Sequence, residues 1–403
     1  MTPTPTLLRL AVFCLLMGGA GWAGAQDPAT ATADAAVDSA EAALTDDQKI
    51  ETLNARLVAN PADGKAWNDL GVIYAGQGKF DLARDAFLSA VQSSPREADY
   101  HRNLGLALMR LDQSDLALRE FEAYRRFDQL GGLDSWRLIG GAQAAVGQVD
   151  AARATYREGL EAVGKTGGAE ALRLALALDK LESDAGNDAA VGKLREEFTP
   201  LAQAFLRDNA EGSDGWREAQ SIVNNRVVML VDEGKLLESS GLFAEAAVRY
   251  QAAYDLMPTR DDLLPRLVDV YLKAGDDLKA KVAARLARDG HPEKAGTWIA
   301  TAKVYEKTDR MDDAIESYRK AFAIDPEFPD LRLAIGNLLM RQGRDREAAE
   351  FLKEGVTNAD TKPEVVYNYA ISQMREKNYH AAIASLRKVV AQRPDMTQAW
   401  TAL

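Results

Sequence analysis

Residues 159–166 read GLEAVGKT, which matches the Gly-x4-Gly-Lys-Thr spacing of a nucleotide-binding P-loop. Such a loop binds phosphate through successive backbone N–H groups, at a point where a buried strand ends and a helix begins. The residues upstream, Ala151 to Glu158, are helix formers rather than a strand rich in Val and Ile. We therefore expect Gly159 to lie inside a helix, where its amide is already bonded. Nucleotide binding through residues 159–166 is kept as the alternative.

Residues suited to metal or acid–base chemistry are few. The chain has three histidines, His101, His291 and His380, and one cysteine, Cys14, with no HExxH motif and no paired cysteines. A Gly-x-Ser-x-Gly nucleophile turn is also missing. We predict no catalytic residue, no metal site and no cofactor, and we interpret His101 as a packing residue.

Composition narrows the class of protein further. The chain has 403 residues, of which 47% are apolar, and a net charge of −12 with a pI near 5.0. This amount of apolar sequence can build large cores, so a disordered polymer and a disulfide scaffold are excluded. The negative charge should repel nucleic acid, and we predict no nucleic-acid partner.

Residues 1–25 have the features of a secretory signal peptide. Arg9 is their only charged residue, Leu7 to Met17 is otherwise apolar, and Ala23-Gly24-Ala25 fits a signal peptidase site. We expect cleavage and export across the inner membrane to the periplasm, with no stable membrane insertion afterwards. Residues 26–44 have few large apolar side chains to bury, which predicts a flexible acidic leader, and a capping box at residues 45–48 then begins a helix.

The elements that organise the chain follow a fixed period. Proline lies at 258, 292, 326 and 394, in steps of 34, 34 and twice 34 residues, and alanine lies at 246, 280, 314, 348 and 382. A period of this size indicates one supersecondary unit that is copied along the chain.

Residues 64–97 show the pattern of this unit. Its characteristic residues are Trp67, Leu70, Gly71, Tyr74, Ala83, Phe87, Ala90 and Pro95, at positions 4, 7, 8, 11, 20, 24, 27 and 32. The first four share one face of a first helix and the next three share one face of a second, with small residues at positions 8 and 20 that allow close approach. The pattern closely resembles the tetratricopeptide repeat. The resemblance implies an all-α, right-handed superhelical solenoid of antiparallel helix pairs, whose first helices line a concave face that binds a partner.

Eight copies fit the pattern, and copy 6 is nearly ideal with Trp298, Ala314 and Pro326. We number them repeats 1 to 8: residues 64–97, 98–131, 133–166, 227–260, 261–294, 295–328, 329–362 and 363–396. The predicted organisation is a capping helix and three repeats over 45–166, a helical spacer or eroded repeat over 167–226, five repeats over 227–396, and a partial repeat over 397–403. We favour a continuous helical array, because separate segments would leave apolar ends bare.

Position 13 of the last four repeats carries a row of cations, which are Lys273, Lys307, Arg341 and Arg375. Each is expected near the end of a first helix, where the helix dipole favours a cation. The same row could instead bind an acidic peptide or an anionic polysaccharide along the concave face, and the two explanations are compatible.

The N-terminal repeats present a different set, with Arg102 and Arg137 at position 5, Arg110 at position 13 and Asn68 at position 5 of repeat 1. Adaptors of the family that clamp a C-terminal carboxylate use Lys and Asn at positions 5 and 9 of the first repeat. Asn68 and Val72 do not match, so that activity is not predicted here. We predict a non-enzymatic protein-binding scaffold of the cell envelope, and the alternative to peptide binding is a polysaccharide-binding export scaffold.

Overall fold

The computed structural model describes residues 44–128, 132–164, 168–328, 330–356 and 362–403. These residues form twenty helices joined by turns, with no strand among them, which confirms the predicted all-α fold. No helix in the described ranges is both long and apolar enough to span a bilayer. The predicted signal peptide lies outside the described residues, as does the leader apart from Leu44.

The chain divides into two compact units between Arg226 and Val227, here called the N-terminal and C-terminal units. The N-terminal unit begins with α1 (Asp46–Ala59), capped by Thr45 and Gln48 in the predicted capping box. Its further helices are α2 (Gly64–Gly76), α3 (Phe80–Ser93), α4 (Ala98–Arg110), α5 (Ser114–Phe127), α6 (Ser135–Ala145), α7 (Val149–Val163), α8 (Gly168–Asp184) and α9 (Asp188–Asp208). The division falls within α10 (Trp216–Ser239).

The C-terminal unit continues the alternation of first and second helices. Its helices are α11 (Phe243–Leu256), α12 (Leu263–Ala274), α13 (Asp277–Gly290), α14 (Ala295–Lys307), α15 (Met311–Ile324), α16 (Leu331–Arg341), α17 (Asp345–Val356), α18 (Pro363–Arg375), α19 (Tyr379–Gln392) and α20 (Thr397–Ala402). First helices of neighbouring repeats contact each other, as α12 does with α14 and α16 with α18.

Close packing within each pair depends on one small residue facing one large residue. A Cβ atom added to Gly105, at position 8, would lie 2.4 Å from the Phe121 ring at position 24. The same relation holds for Gly71 with Phe87, Gly140 with Tyr156, Gly234 with Tyr250 and Gly336 with Leu352. The alanines at position 20, including Ala83 and Ala314, are fully buried. The helices therefore approach until the large side chain lies directly on the backbone of its partner.

Every described residue at position 15, where the first helix ends, has a left-handed backbone. Gly78 has φ +75°, and non-glycine residues at the same position, such as Asp112 (φ 58°) and Asp309 (φ 57°), adopt the same conformation. This conformation ends the first helix and turns the chain toward the second. The turn therefore belongs to the repeat geometry and does not need a glycine at every copy.

A side-chain hydrogen bond marks several joints between repeats. The indole N–H groups of Trp67, Trp298 and Trp400 donate to the carbonyl oxygens of Pro61, Pro292 and Pro394, at 2.9, 2.7 and 3.0 Å. His101 takes the place of tryptophan in repeat 2, and its Nε2 lies 3.1 Å from the carbonyl oxygen of Pro95. His101 is buried and also contacts Glu120 of α5, so it is a packing residue, as predicted.

The region predicted to be irregular contains a helix pair, α8 and α9, followed by the start of α10. Helix α8 packs on α7 and α6, which is how the first helix of one repeat packs on the preceding pair elsewhere in the chain. Glu182 of α8 is fully buried, and Arg153 of α7 donates to its carboxylate at 2.8 Å. A buried ionic contact therefore joins this helix pair to repeat 3.

Candidate functional site

The first helices of repeats 5 to 8 share a face with two parallel rows of side chains. One row, at position 5, consists of the half-buried residues Pro265, Ile299, Leu333 and Tyr367. The other, at position 13, consists of the exposed cations Lys273, Lys307, Arg341 and Arg375. Eight helical residues separate the rows, which is about 12 Å along each helix. We call this surface the inner face.

Each cation lies in the last turn of its helix, where the helix dipole favours it. Three of them also contact carboxylates of the preceding repeat. Lys273 donates to Glu238 at 3.1 Å, Arg341 lies 3.8 Å from Glu306, and Arg375 donates to Asp345 at 3.1 Å. Within the described ranges, Lys307 has no ion-pair partner. The row is therefore largely neutralised within the molecule.

Two of these carboxylates also bind a tyrosine of their own repeat. Tyr250 donates its hydroxyl to Glu238 at 3.1 Å, and Tyr318 donates to Glu306 at 2.9 Å, in contacts 68 residues apart. Partial burial raises the pKa of Glu238, but the bonds from Lys273 and Tyr250 outweigh this effect and hold that pKa below its usual value. Glu238 therefore remains ionised and holds Lys273 in place at the edge of the inner face.

The cations predicted in the N-terminal repeats lie in a different environment. Arg137 has only 3% of its side-chain surface exposed and donates to Glu170 at 2.9 Å, so the prediction that it faces a partner is wrong. Asn68 is also buried, and its Oδ1 accepts a hydrogen bond from the side chain of Asn103 at 2.9 Å. A partner could not reach either residue without opening the helix packing.

Arg102 and Arg110 are half-buried. Arg102 donates to Asp134 at 3.0 Å, and the Arg110 guanidinium lies 5.2 Å from the centre of the Phe80 ring. Burial alone would raise the pKa of Asp134, but the Arg102 charge and the Tyr124 hydroxyl lower it below its usual value. Arg102 therefore belongs to the packing of repeats 2 and 3 rather than to an open groove.

These arginines belong to a connected set of ion pairs that sequence reasoning did not find. We call it the buried ladder, and its members are Arg102, Asp134, Arg137, Glu170, Arg173, Glu218 and, at its exposed end, Asp214. Burial raises the pKa of Glu170 despite the opposing charge of Arg137. The sequence offered one sign of these ion pairs, because Arg102 and Arg137 occupy the same position of successive repeats. Their carboxylate partners could not be recognised in the same way, since they follow no 34-residue spacing.

The P-loop-like segment has the geometry that its helix-forming surroundings predicted. Gly159 is buried inside α7, and a Cβ atom there would lie 2.7 Å from the Cβ of Trp136. Helix α7 continues to Val163, while Lys165 and Thr166 lie outside the described residues. The described ranges contain no group of three or more His, Cys, Asp or Glu side chains arranged to hold a metal ion.

Family models described as tetratricopeptide repeat match residues 32–98 and 70–132, 306–367 and 364–395. No curated protein sequence matches the chain. Among solved structures, yeast Tom70 is similar at 12% identity over 89% of this chain and 90% of its own, with a TM-score of 0.38. YrrB, titled a TPR protein with an unusual peptide-binding site, is similar at 19% identity over 45% of this chain and 95% of its own, with a TM-score of 0.37.

A thermophilic TPR protein of Thermus thermophilus, TTC0263, is similar at 19% identity over 43% of this chain and 95% of its own, with a TM-score of 0.35. The family matches fall in both units, and antiparallel helix pairs make up the residues between the matched ranges. The chain is a tetratricopeptide-repeat protein.

Proposed function

We propose that the protein is a non-enzymatic scaffold that binds a partner polypeptide along the inner face of repeats 5 to 8. The observation that carries this proposal is the pair of parallel rows at positions 5 and 13. Neighbouring packed helices lie about 8–10 Å apart, which equals about three residues of a peptide in the polyproline II conformation, whose side chains three residues apart share one face. A peptide that crosses the four helices can therefore place one apolar side chain against each member of the position-5 row.

The charges on the inner face define the chemistry of the partner. Three of the four cations already contact a carboxylate of this chain, which is Glu238, Glu306 or Asp345. A carboxylate of the partner must therefore compete with these contacts. Lys307 offers the strongest site for a new carboxylate. We propose a mainly apolar peptide with a few acidic residues, because a dense anionic polysaccharide would need cations that the face has already neutralised.

We also propose a periplasmic location, which is supported by the sequence of residues 1–25. Mass spectrometry of the protein purified from its native cells tests this part independently of binding. Cleavage after Ala25 gives a mature chain that begins at Gln26. A chain that retains residues 1–25 contradicts export by a cleaved signal peptide.

A displayed library of random peptides, selected on the full chain, tests binding. The two variants to compare are Lys307→Glu on the inner face and Lys388→Glu on the opposite side of repeat 8, because both lysines are exposed. We expect the selected peptides to lose at least about tenfold in affinity on Lys307→Glu and to be unaffected by Lys388→Glu.

Leu333→Arg should abolish binding of the same peptides, since it inserts a charge into the apolar row. Far-UV circular dichroism confirms that each variant keeps its helices. Selected peptides that bind all three variants equally well would contradict an inner-face site.

A further inference from the structure

Two neighbouring repeats carry apolar side chains on the exposed face of their second helices. Helix α13 presents Leu278, Val282 and Leu286, which are 74%, 52% and 49% exposed. Helix α11 presents Ala244, Val248 and Ala252 at the same positions, 18, 22 and 26, each 34 residues earlier. A ridge of Leu and Val side chains therefore lies beside a shallower row, the trough, in which two alanines flank Val248, which is 60% exposed. We call these six residues the outer patch.

The outer patch is specific to repeats 4 and 5. The other repeats carry polar residues or alanine at positions 18, 22 and 26, which are Asp81, Asp85 and Ser89; Asp115, Arg119 and Ala123; Asp150, Ala154 and Glu158; Asp312, Glu316 and Lys320; Arg346, Glu350 and Glu354; and His380, Ala384 and Lys388. The tetratricopeptide fold does not itself require an apolar residue at these positions. The outer patch therefore needs a separate explanation, and exposed apolar patches of this kind mark interaction sites.

A groove of about 730 Å³ runs between α11 and α13. Its floor includes Leu264 and Tyr271 of the first helix α12. Leu264 stands at position 4, where repeats 1, 3 and 6 carry tryptophan. The smaller side chain leaves room that an indole fills in the other repeats, so the groove is open to an apolar side chain from outside.

We propose that the occupant is a second copy of this chain, bound through the outer patch in a symmetric dimer. Helices α11 and α13 are parallel, since each runs antiparallel to α12. A two-fold axis parallel to these helices and lying between them places the ridge of each copy over the trough of the other. In this register Leu278, Val282 and Leu286 of the second copy face Ala244, Val248 and Ala252.

One pair of charges beside the outer patch is complementary in the same register. Glu245 of α11 faces Lys279 of the second copy, because the two residues also lie 34 positions apart. Asp255 faces Asp289 of the second copy, which is a like-charge contact, although Arg285 bonds Asp289 at 3.4 Å within its own chain and offsets part of its charge. Each contact occurs twice in a two-fold dimer, so the Glu245–Lys279 pair forms twice and fixes the register.

The dimer is expected to be weak. Six apolar side chains from each copy bury less than the roughly 800 Å² per partner of a standard stable interface. The net charge of −12 on each chain further opposes association. Dimerisation should therefore rise with protein concentration and with moderate salt, and it concerns a different face from the one proposed for peptide binding.

Sedimentation equilibrium of the full chain over a wide concentration range tests the dimer. The decisive variant replaces the ridge with the residues of repeat 6, as Leu278→Asp, Val282→Glu and Leu286→Lys. Its control is Ala384→Glu, at position 22 of repeat 8 on another exposed second helix. We expect the ridge variant to weaken dimerisation by at least about tenfold and the control to leave it unchanged.

Charge reversal tests the proposed register. Glu245→Lys and Lys279→Glu should each prevent dimerisation, because like charges then meet at both contacts. An equal mixture of the two variants should dimerise again, since each opposite pair is restored in the heterodimer. Thermal melts monitored by circular dichroism verify that each variant is folded.

A wild-type chain that stays monomeric up to its solubility limit would overturn the proposal. So would a dimer that survives replacement of the ridge, or charge-reversal variants whose mixture does not associate. Because the variants leave the inner face intact, peptide binding can succeed or fail independently of these results.

Discussion

Cations on the first helices have opposite environments in the two units. In the N-terminal unit Arg137 is buried and bonded to Glu170, as part of the buried ladder. In the C-terminal unit Lys273 keeps 49% of its side chain exposed and contacts Glu238 at the edge of the inner face. In the same repeat fold, cations of the first helices are therefore part of the helix packing in one unit and lie at the surface in the other.

Position 13 itself differs between the units, because Arg110 of repeat 2 is half-buried against Phe80 while Lys273 of repeat 5 is exposed. Repeat position alone therefore does not decide whether a charged residue can bind a partner. Arg102 and Arg137 lie behind carboxylates from neighbouring helices, whereas position 13 lies at a helix end with one side open to water. Removing a partner from a buried ion pair leaves an uncompensated charge, while removing an exposed cation leaves a solvated carboxylate. The two units should therefore respond very differently to equivalent substitutions.

The largest expected effect separates the two units directly. Arg137→Met should lower the free energy of unfolding by up to about 3–5 kcal/mol, because buried Glu170 then keeps only the longer contact with Arg173, at 3.5 Å. Lys273→Met, which removes an exposed cation from the C-terminal unit, should lower it by less than about 1 kcal/mol. Urea unfolding followed by circular dichroism measures both values, and similar losses would show that burial does not distinguish the two sets of charges.

A second experiment examines a feature that the units share. Gly105→Ala and Gly336→Ala should each destabilise the protein by about 1–3 kcal/mol, since the new Cβ would overlap Phe121 or Leu352. Gly76→Ala is the control, because a Cβ there has open space around it and alanine favours the helix. Thermal melts of the three variants compare them. A large loss in one unit alone would mean that the units also differ in helix packing.

The smallest effect is a pH dependence of the N-terminal unit. The hydrogen bond with Glu120, at 2.6 Å, raises the pKa of His101 above its ordinary value near 6.5 although burial opposes the shift. A raised pKa in the folded state stabilises the protein fully below about pH 6.5, and this contribution is lost as pH rises through the raised value.

Unfolding by urea at a series of pH values measures this dependence. Above about pH 6.5, the free energy of unfolding should fall with rising pH as His101 loses its proton, and His101→Gln should remove this part of the pH dependence. An unchanged slope in this variant would exclude His101 as its source.

Much of the fold was predictable because the 34-residue period constrains packing directly. Gly71, Ala83 and Pro95 each meet a steric requirement that recurs at the same position, so their spacing alone predicted the helix pairs. The location of Lys273 and its three equivalents at helix ends followed from the same period. Their neutralisation by Glu238, Glu306 and Asp345 was not predicted, because it depends on how neighbouring repeats pack.

The buried ladder was the main feature that sequence reasoning could not find. Glu170 and Arg173 lie on α8, outside any clean copy of the repeat, and their partners come from other helices. Burial of Arg137 therefore became visible only when α6 and α8 were placed side by side. The outer patch shows the opposite case: Leu278, Val282 and Leu286 are regularly spaced in the sequence, but only the structure shows that this face is exposed.

The bond from an indole or imidazole to a proline carbonyl has a mechanical consequence. It spans the turn between two repeats and works as a tether of fixed length, so a joint that has it resists bending. Leu264 stands at the same position without any side-chain donor. Among the joints of the C-terminal unit that the structure describes in full, compliance should therefore concentrate at the one before repeat 5, which would yield first when the chain is stretched.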